Sequence, residues 1–374
     1  MKLLMATSPF LHAKADIILR SSDGVDFRVI TLFLNLASSS FDSIIEQAVQ
    51  SNQVEGDLPV VPVEENHRVL DIWLRFCYPS TLAEDPPLHE IEDIIPVLEA
   101  ARKYSLQTLE HKVRQALKSR MEKEPLRCFA IAMRAQLNVE ATLAAEYTLR
   151  QSLIPASVPE IDLITAKELL ALLTYHQRCG VSVQSLGVDL SWITSSYLSL
   201  NAAGYQWMIQ NGSCNCESSS RFLLNGQRPL KWWSDYMEKS LVSLRDKPSG
   251  HTVLAEVGDT IRGVRAMGCS RCCSNILGNM TGFAEFLSTM VDILTAEVDL
   301  DMDLLKPFVP ARVTLSAKAQ IFIGTSGLDV EPSVAGPAPA TPGPSTKAPN
   351  SKDGKQKTPN SKRKAPNSKD ARKK

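Results

Sequence analysis

The sequence predicts an α+β protein: a small sheet flanked by helices, then a mainly α-helical second domain, then a disordered tail. Three observations carry this reading. Two short β-prone runs flank an Asp-Gly turn near the start, apolar residues recur at helical spacing from about residue 69, and composition turns Pro- and Lys-rich after residue 330. The resulting boundaries are a flexible N-terminus over 1–13, a first domain over 14–123, a helical domain over 124–325 and a basic tail over 326–374.

Asp16-Ile-Ile-Leu-Arg20 and Val25-Asp-Phe-Arg-Val-Ile30 are joined by Ser21-Ser22-Asp23-Gly24, a sequence that favours a hairpin because Asp-Gly tolerates the positive φ of tight turns. Leu32, Leu34 and Leu36 lead to Ser38-Ser39-Ser40-Phe41, where serine caps a helix with Phe41, Ile44, Ile45 and Val49 on one face. The prolines of Leu58-Pro-Val-Val-Pro-Val63 hold that segment extended. Val69, Leu70, Trp73, Leu74 and Cys77 form the next helix, which Pro79 ends. Helices follow over Ile91–Tyr104 and from Leu106 to Leu117. A sheet of three strands flanked by five helices is expected.

The second domain opens with Pro125–Met133 and Val139–Leu149, two amphipathic helices joined at Gln136-Leu137-Asn138. Pro155 and Pro159 interrupt the chain before a Leu-rich helix over Thr165–His176, with threonine as its cap. Between Cys179 and Pro229 the periodicity is poor and no elements are assigned. Helices return over Trp232–Leu244, Thr252–Arg265 and Phe283–Val298.

Charge is divided along the chain. Lys and Arg total 41, as do Asp and Glu, yet residues 331–374 hold 11 basic and 3 acidic side chains. The preceding 330 residues are therefore net acidic, which argues against a phosphate-binding fold there. Three Lys-x-Pro-Asn-Ser-Lys repeats in the tail bury too little apolar surface to order themselves, so the tail is expected to be disordered. Lys362-Arg363-Lys364 resembles a nuclear import signal and could contact nucleic acid weakly, the other reading being a solubilising end. The apolar stretch at the start is short for a secretory signal and no run is long enough to span a bilayer, so nucleus or cytoplasm is expected.

Asp16, Gly24, Phe27, Leu34, Ser38 and Phe41 occur in the order of a strand-opening Asp, a Gly-x-x-Phe turn, a hydrophobic helix entry and a Ser-x-x-Phe. Leu58 to Val63, Leu70 to Tyr78, and Ala100, Ala101, Tyr104, Leu106 and Leu109 continue the series. This order resembles a BTB/POZ domain, most closely the fungal (basidiomycete) BTB proteins, over about residues 14–120. The family's usual His after the second strand is replaced by Ile30, so Asp16 needs another partner or a water. The resemblance implies non-enzymatic protein–protein association, either self-association or docking of a cullin-type ubiquitin ligase scaffold, with the following helices as an adaptor's extension. An alternative is a nuclear or chromatin-associated regulator whose basic tail makes the contact. Phe27, Leu34, Phe41, Leu70, Trp73 and Tyr104 are the expected core of the first domain.

Five of the eight cysteines fall in Cys214-Asn-Cys216 and Cys269-Ser-Arg-Cys272-Cys273. Cys-x-x-Cys lets one turn present two thiolates to one ion, and paired short clusters are the usual construction of a structural zinc site. The candidate ligands are Cys214, Cys216, Cys269 and Cys272, with His176 and Cys179, one helical turn apart, as substitutes. The 52 residues between Cys216 and Cys269 would make such a site a staple between distant segments. The competing reading is of reduced thiols packed as small apolar groups. A catalytic zinc keeps an open position beside a base, and the pattern supplies neither. Neither Walker, dinucleotide, nucleophile-elbow nor His-Glu-x-x-His patterns occur. Trp192, Trp207, Trp232, Trp233 and Tyr236 are read as core.

Overall fold

The computed structural model describes residues 4–301 apart from 51–53, 56, 85–87, 89, 154–157, 198–203 and 211–213. The expected disordered tail, with Lys362-Arg363-Lys364, lies outside the described residues, as does Pro155.

The sheet is built around the anticipated hairpin. β1 is Leu4–Met5, β2 Ile17–Arg20, β3 Val25–Val29, β4 Val54–Glu55 and β5 Leu58–Pro62. Their order is β1-β3-β2-β5-β4. β2 and β3 pair antiparallel with Ile18 opposite Arg28, whereas β2 and β5 pair parallel with Ile18 opposite Val60. Gly24 takes φ +83° at the turn, as the Asp-Gly signal requires. The sheet therefore has five strands among the described residues, not three. The two additions are two residues long, too short to display a period of two.

The N-terminal stretch is likewise not a free end. Leu4 and Met5 pair with Val25 and Asp26, and Phe10 is fully buried against Phe27 and Tyr78, 5.4 Å from each ring. Apolar residues there have a sheet edge to cover, which local composition does not reveal.

Five helices flank this sheet: α1 Thr31–Ala37, α2 Asp42–Gln50, α3 His67–Cys77, α4 Ile94–Lys103 and α5 Gln107–Lys118. Asn66 caps α3 by accepting the Val69 amide at 3.0 Å. The face of α3 carrying Leu70, Trp73, Leu74 and Cys77 is buried. Phe41, Trp73 and Tyr104 form a triple stack with ring separations of 5.2, 5.0 and 4.8 Å, joining the start of α2 to α3 and the end of α4. All six residues expected as the core of this domain are buried. Asp16 is exposed and finds its partner one residue past Ile30: its carboxylate accepts the Thr31 amide at 2.8 Å and the Thr31 hydroxyl at 2.6 Å.

α6 (Pro125–Arg134), α7 (Asn138–Thr148) and α8 (Ala166–Gln184) follow. Thr165 and Glu168 form a reciprocal capping box at the start of α8, with the Glu168 amide 3.2 Å from the threonine hydroxyl and the Thr165 amide 2.6 Å from the glutamate. The apolar core does not break at residue 124. Phe129 and Ile131 of α6, Ala141 and Ala144 of α7, and Leu172 to Cys179 of α8 share one cluster with the sheet. The division at 124 is one of chain order, because the apolar faces of α6 and α7 pack on the elements before them.

A second core begins at Val183 and runs to Leu294. It is formed by α9 (Lys231–Asp246), α10 (Gly250–Ala255), α11 (Val257–Ala266), the single turn α12 (Ser270–Cys273) and α13 (Ile276–Ala296). The helix expected over Thr252–Arg265 is thus two helices meeting at Glu256. Trp192, Trp232, Trp233 and Tyr236 are buried in this core with Phe283, and Trp207 packs against it. No helix among the described residues is long and apolar enough to cross a membrane.

Candidate functional site

The four cysteines singled out by spacing converge. The sulfurs of Cys214, Cys216, Cys269 and Cys272 lie within 4.8 Å of one another. Two stretches of irregular backbone bring them there. The first comprises residues 204–210 and 214–230 and contains a 3-10 turn at Gln206–Met208, bridges between Ile209 and Pro229 and between Ser218 and Leu230, and a tight turn at Leu224–Gln227. In that turn Asn225 and Gly226 both adopt positive φ, 47° and 75°, so the chain reverses within two residues. The second is the stretch between α11 and α13. Gly268 at φ +66° stops α11, α12 makes its single turn, and Asn275 at φ +57° redirects the chain into α13. Cys269 and Cys272 stand at either end of that turn.

Two of the sulfur separations are close to the edge length of a zinc–thiolate tetrahedron. Cys272 Sγ is 3.6 Å from Cys216 Sγ and 4.0 Å from Cys214 Sγ. Metal–sulfur bonds of about 2.3 Å at tetrahedral angles place ligand sulfurs about 3.8 Å apart. The four cysteines are unbridged, with Cys214 and Cys272 buried and Cys216 and Cys269 partly so.

The surroundings favour thiolates at two positions. The backbone amide of Cys272, with that of Arg271, points at the Cys269 sulfur and holds its pKa down to about 7. Burial pushes Cys214 up, but the Cys216 amide and the Arg271 side chain outweigh it and leave the thiol below its ordinary value. Arg271 Nη1 donates to Cys214 Sγ at 3.4 Å. Cys216 and Cys272 are pushed up, by burial first; the Cys269 sulfur adds to both, while the bond from the Cys272 thiol partly offsets the rise at Cys216. Four soft ligands with no solvent position among them suit a closed site that could hold a metal ion.

The proposed substitutes stand elsewhere. His176 and Cys179 are buried on α8, where Cys179 Sγ contacts the Thr295 carbonyl at 4.0 Å, and neither belongs to the group of four. Burial pushes the Cys179 thiol up to about 12, as it does Cys77 and Cys128. Cys273 points away, its thiol toward the Val264 carbonyl at 3.5 Å. Sequence reasoning missed the flanking groups. Arg271 sits between two of the ligands, and Gln210 Nε2 donates to the Cys216 carbonyl at 2.8 Å.

At the other end of the chain, residues up to α5 form a small sheet clasped by helices, a scaffold that presents surfaces. The BTB/POZ domain family matches residues 7–121. The chain therefore carries a BTB/POZ domain, a class of module that mediates protein–protein association. The match begins ahead of the expected residue 14, consistent with the burial of Phe10. Among curated proteins no match is found.

Proposed function

We propose that the BTB/POZ domain docks another polypeptide, with α6–α8 and the second core as a rigid extension, and that the chain serves as an adaptor for a cullin-type ubiquitin ligase scaffold. The observation that carries the reading is the family match over residues 7–121. Support comes from α1, where Leu32 and Leu36, four residues apart on one helical face, are 59% and 76% exposed. Burying a leucine that water now covers contributes roughly 1.5–3 kcal/mol. The test is co-purification of the full chain with a cullin scaffold, alongside its mass in solution. Retention by the wild-type chain and loss in Leu32→Asp/Leu36→Asp supports docking through this face. A folded wild-type chain that is monomeric and retains no scaffold defeats it.

The second part of the reading is that Cys214, Cys216, Cys269 and Cys272 hold one structural zinc ion. Its support is the 3.6 and 4.0 Å sulfur separations and the amides directed at Cys269. Zinc there would supply cross-linking, since every position in a four-cysteine shell is filled by protein. A further reading, nuclear residence with the tail touching nucleic acid or import receptors, draws on the 11 basic and 3 acidic residues over 331–374. Deleting residues 345–374 would then abolish nuclear accumulation, and unchanged distribution would remove it.

A further inference from the structure

Four thiolates around a divalent ion carry two net negative charges, and a site with half its ligands buried must offset them. Arg271 is placed to do so. It lies between Cys269 and Cys272 in sequence, yet its side chain reaches the opposite ligand pair, donating through Nη1 to Cys214 Sγ at 3.4 Å. Its Nη2 donates to the carbonyls of Gln206 at 3.3 Å and Ile209 at 3.2 Å. One planar guanidinium therefore spans a ligand sulfur and the backbone turn that precedes it. That turn carries Met208 and Ile209 into the second core and sets Trp207 against Trp232, ring centroids 6.0 Å apart.

A second donor faces the same group. Trp232 at the start of α9 is buried, and its indole N–H has no hydrogen-bond partner among the described residues. The Cys272 side chain lines the same small cavity as this indole, together with Arg271 and Trp207. A buried N–H without a partner is costly, and a metal-bound thiolate is an acceptor that would satisfy it.

We propose that Arg271 is a positioning residue of the metal centre, balancing the charge of the metal–thiolate unit and locking the Cys214–Cys216 half onto the Cys269–Cys272 half, with the Trp232 N–H as a second outer donor. The inference rests on the metal reading above. A lysine retains the charge but cannot fork between sulfur and two carbonyls, so charge and bridging are separable.

The full chain, stripped of metal under reductant, is titrated with Zn(II) against a chromophoric chelator, and the thiols of the loaded protein are alkylated with iodoacetamide. Outer-shell partners typically contribute 10–100-fold to metal affinity. Arg271→Met is expected to lose affinity within that range and to alkylate faster at Cys214. Arg271→Lys is expected to fall between the two, and Trp232→Phe to lose less than Arg271→Met. Equal affinity and equal alkylation in wild type and Arg271→Met overturn the assignment. Should Arg271→Met fail to fold, Arg271→Lys decides, because wild-type affinity in that variant removes the bridging role. A wild-type chain that takes up no Zn(II) overturns the metal reading itself, a result distinct from the others.

Discussion

From Phe10 to Cys179 the chain is held by carbon: Phe41, Trp73 and Tyr104 stack within 5.2 Å, and α6 to α8 extend the same apolar cluster. Beyond Val183 a second apolar core packs α9, α11 and α13, but the described stretches that carry the cysteines, 204–210, 214–230 and 267–275, are mostly irregular, and their fixed points include four sulfurs within 4.8 Å, one guanidinium and a few isolated bridges. The first region has enough regular helix and strand to bury its own surface. The second lacks that regularity beside the cysteines, and irregular segments need a non-local constraint to offset their chain entropy. The two regions should therefore fail under different treatments.

The largest effect is expected in the first region. Trp73→Ala removes the centre of the triple stack, and a large-to-small change at a fully buried aromatic costs about 3–5 kcal/mol. Urea unfolding followed by circular dichroism measures it, and zinc uptake by the same variant should be unchanged. A loss of both together would mean the regions are one cooperative unit.

Next comes zinc itself. At a free concentration about a hundredfold above its dissociation constant, zinc adds about 2.7 kcal/mol to the folded state it binds. That gain should appear in the wild-type thermal transition and vanish in Cys272→Ser. A gain that survives in Cys272→Ser would place the ion elsewhere.

The smallest effect concerns His176, where the apolar surroundings lower the pKa below its ordinary value. Because the folded-state value is depressed, its contribution is fully present above the unfolded pKa of about 6.5 and declines as pH falls through the folded value. His176→Gln should flatten the stability profile between pH 7 and 5. A slope identical to wild type would show that another group titrates there.

Much of this architecture was legible wherever a period repeats. The hairpin around Asp23-Gly24, the buried face of α3 and the Thr165 cap all follow from local residue patterns. β1 and β4 were not legible, because two residues display no alternation, and Phe10 looked like part of a free end because its partners Phe27 and Tyr78 are remote in sequence. α8 ran past His176 to Gln184 because its second half turns toward the other core. The four cysteines were readable from spacing alone. What separates them from His176 and Cys179 is three-dimensional: those two side chains are buried on α8 and neither joins the sulfur cluster. Arg271 escaped notice because a base between two cysteines gives no sign that it reaches a third, 57 residues away.

Hydrogen exchange of the full chain, with zinc and then with a chelator, tests most directly the claim that sulfur and metal organise one region while apolar packing organises the other. The expected result is that chelation accelerates exchange in residues 204–230 and 268–276 and leaves the amides of β2, β3 and α3–α7 unchanged. Unaltered exchange around the cysteines, or acceleration spread equally over both regions, would contradict the account.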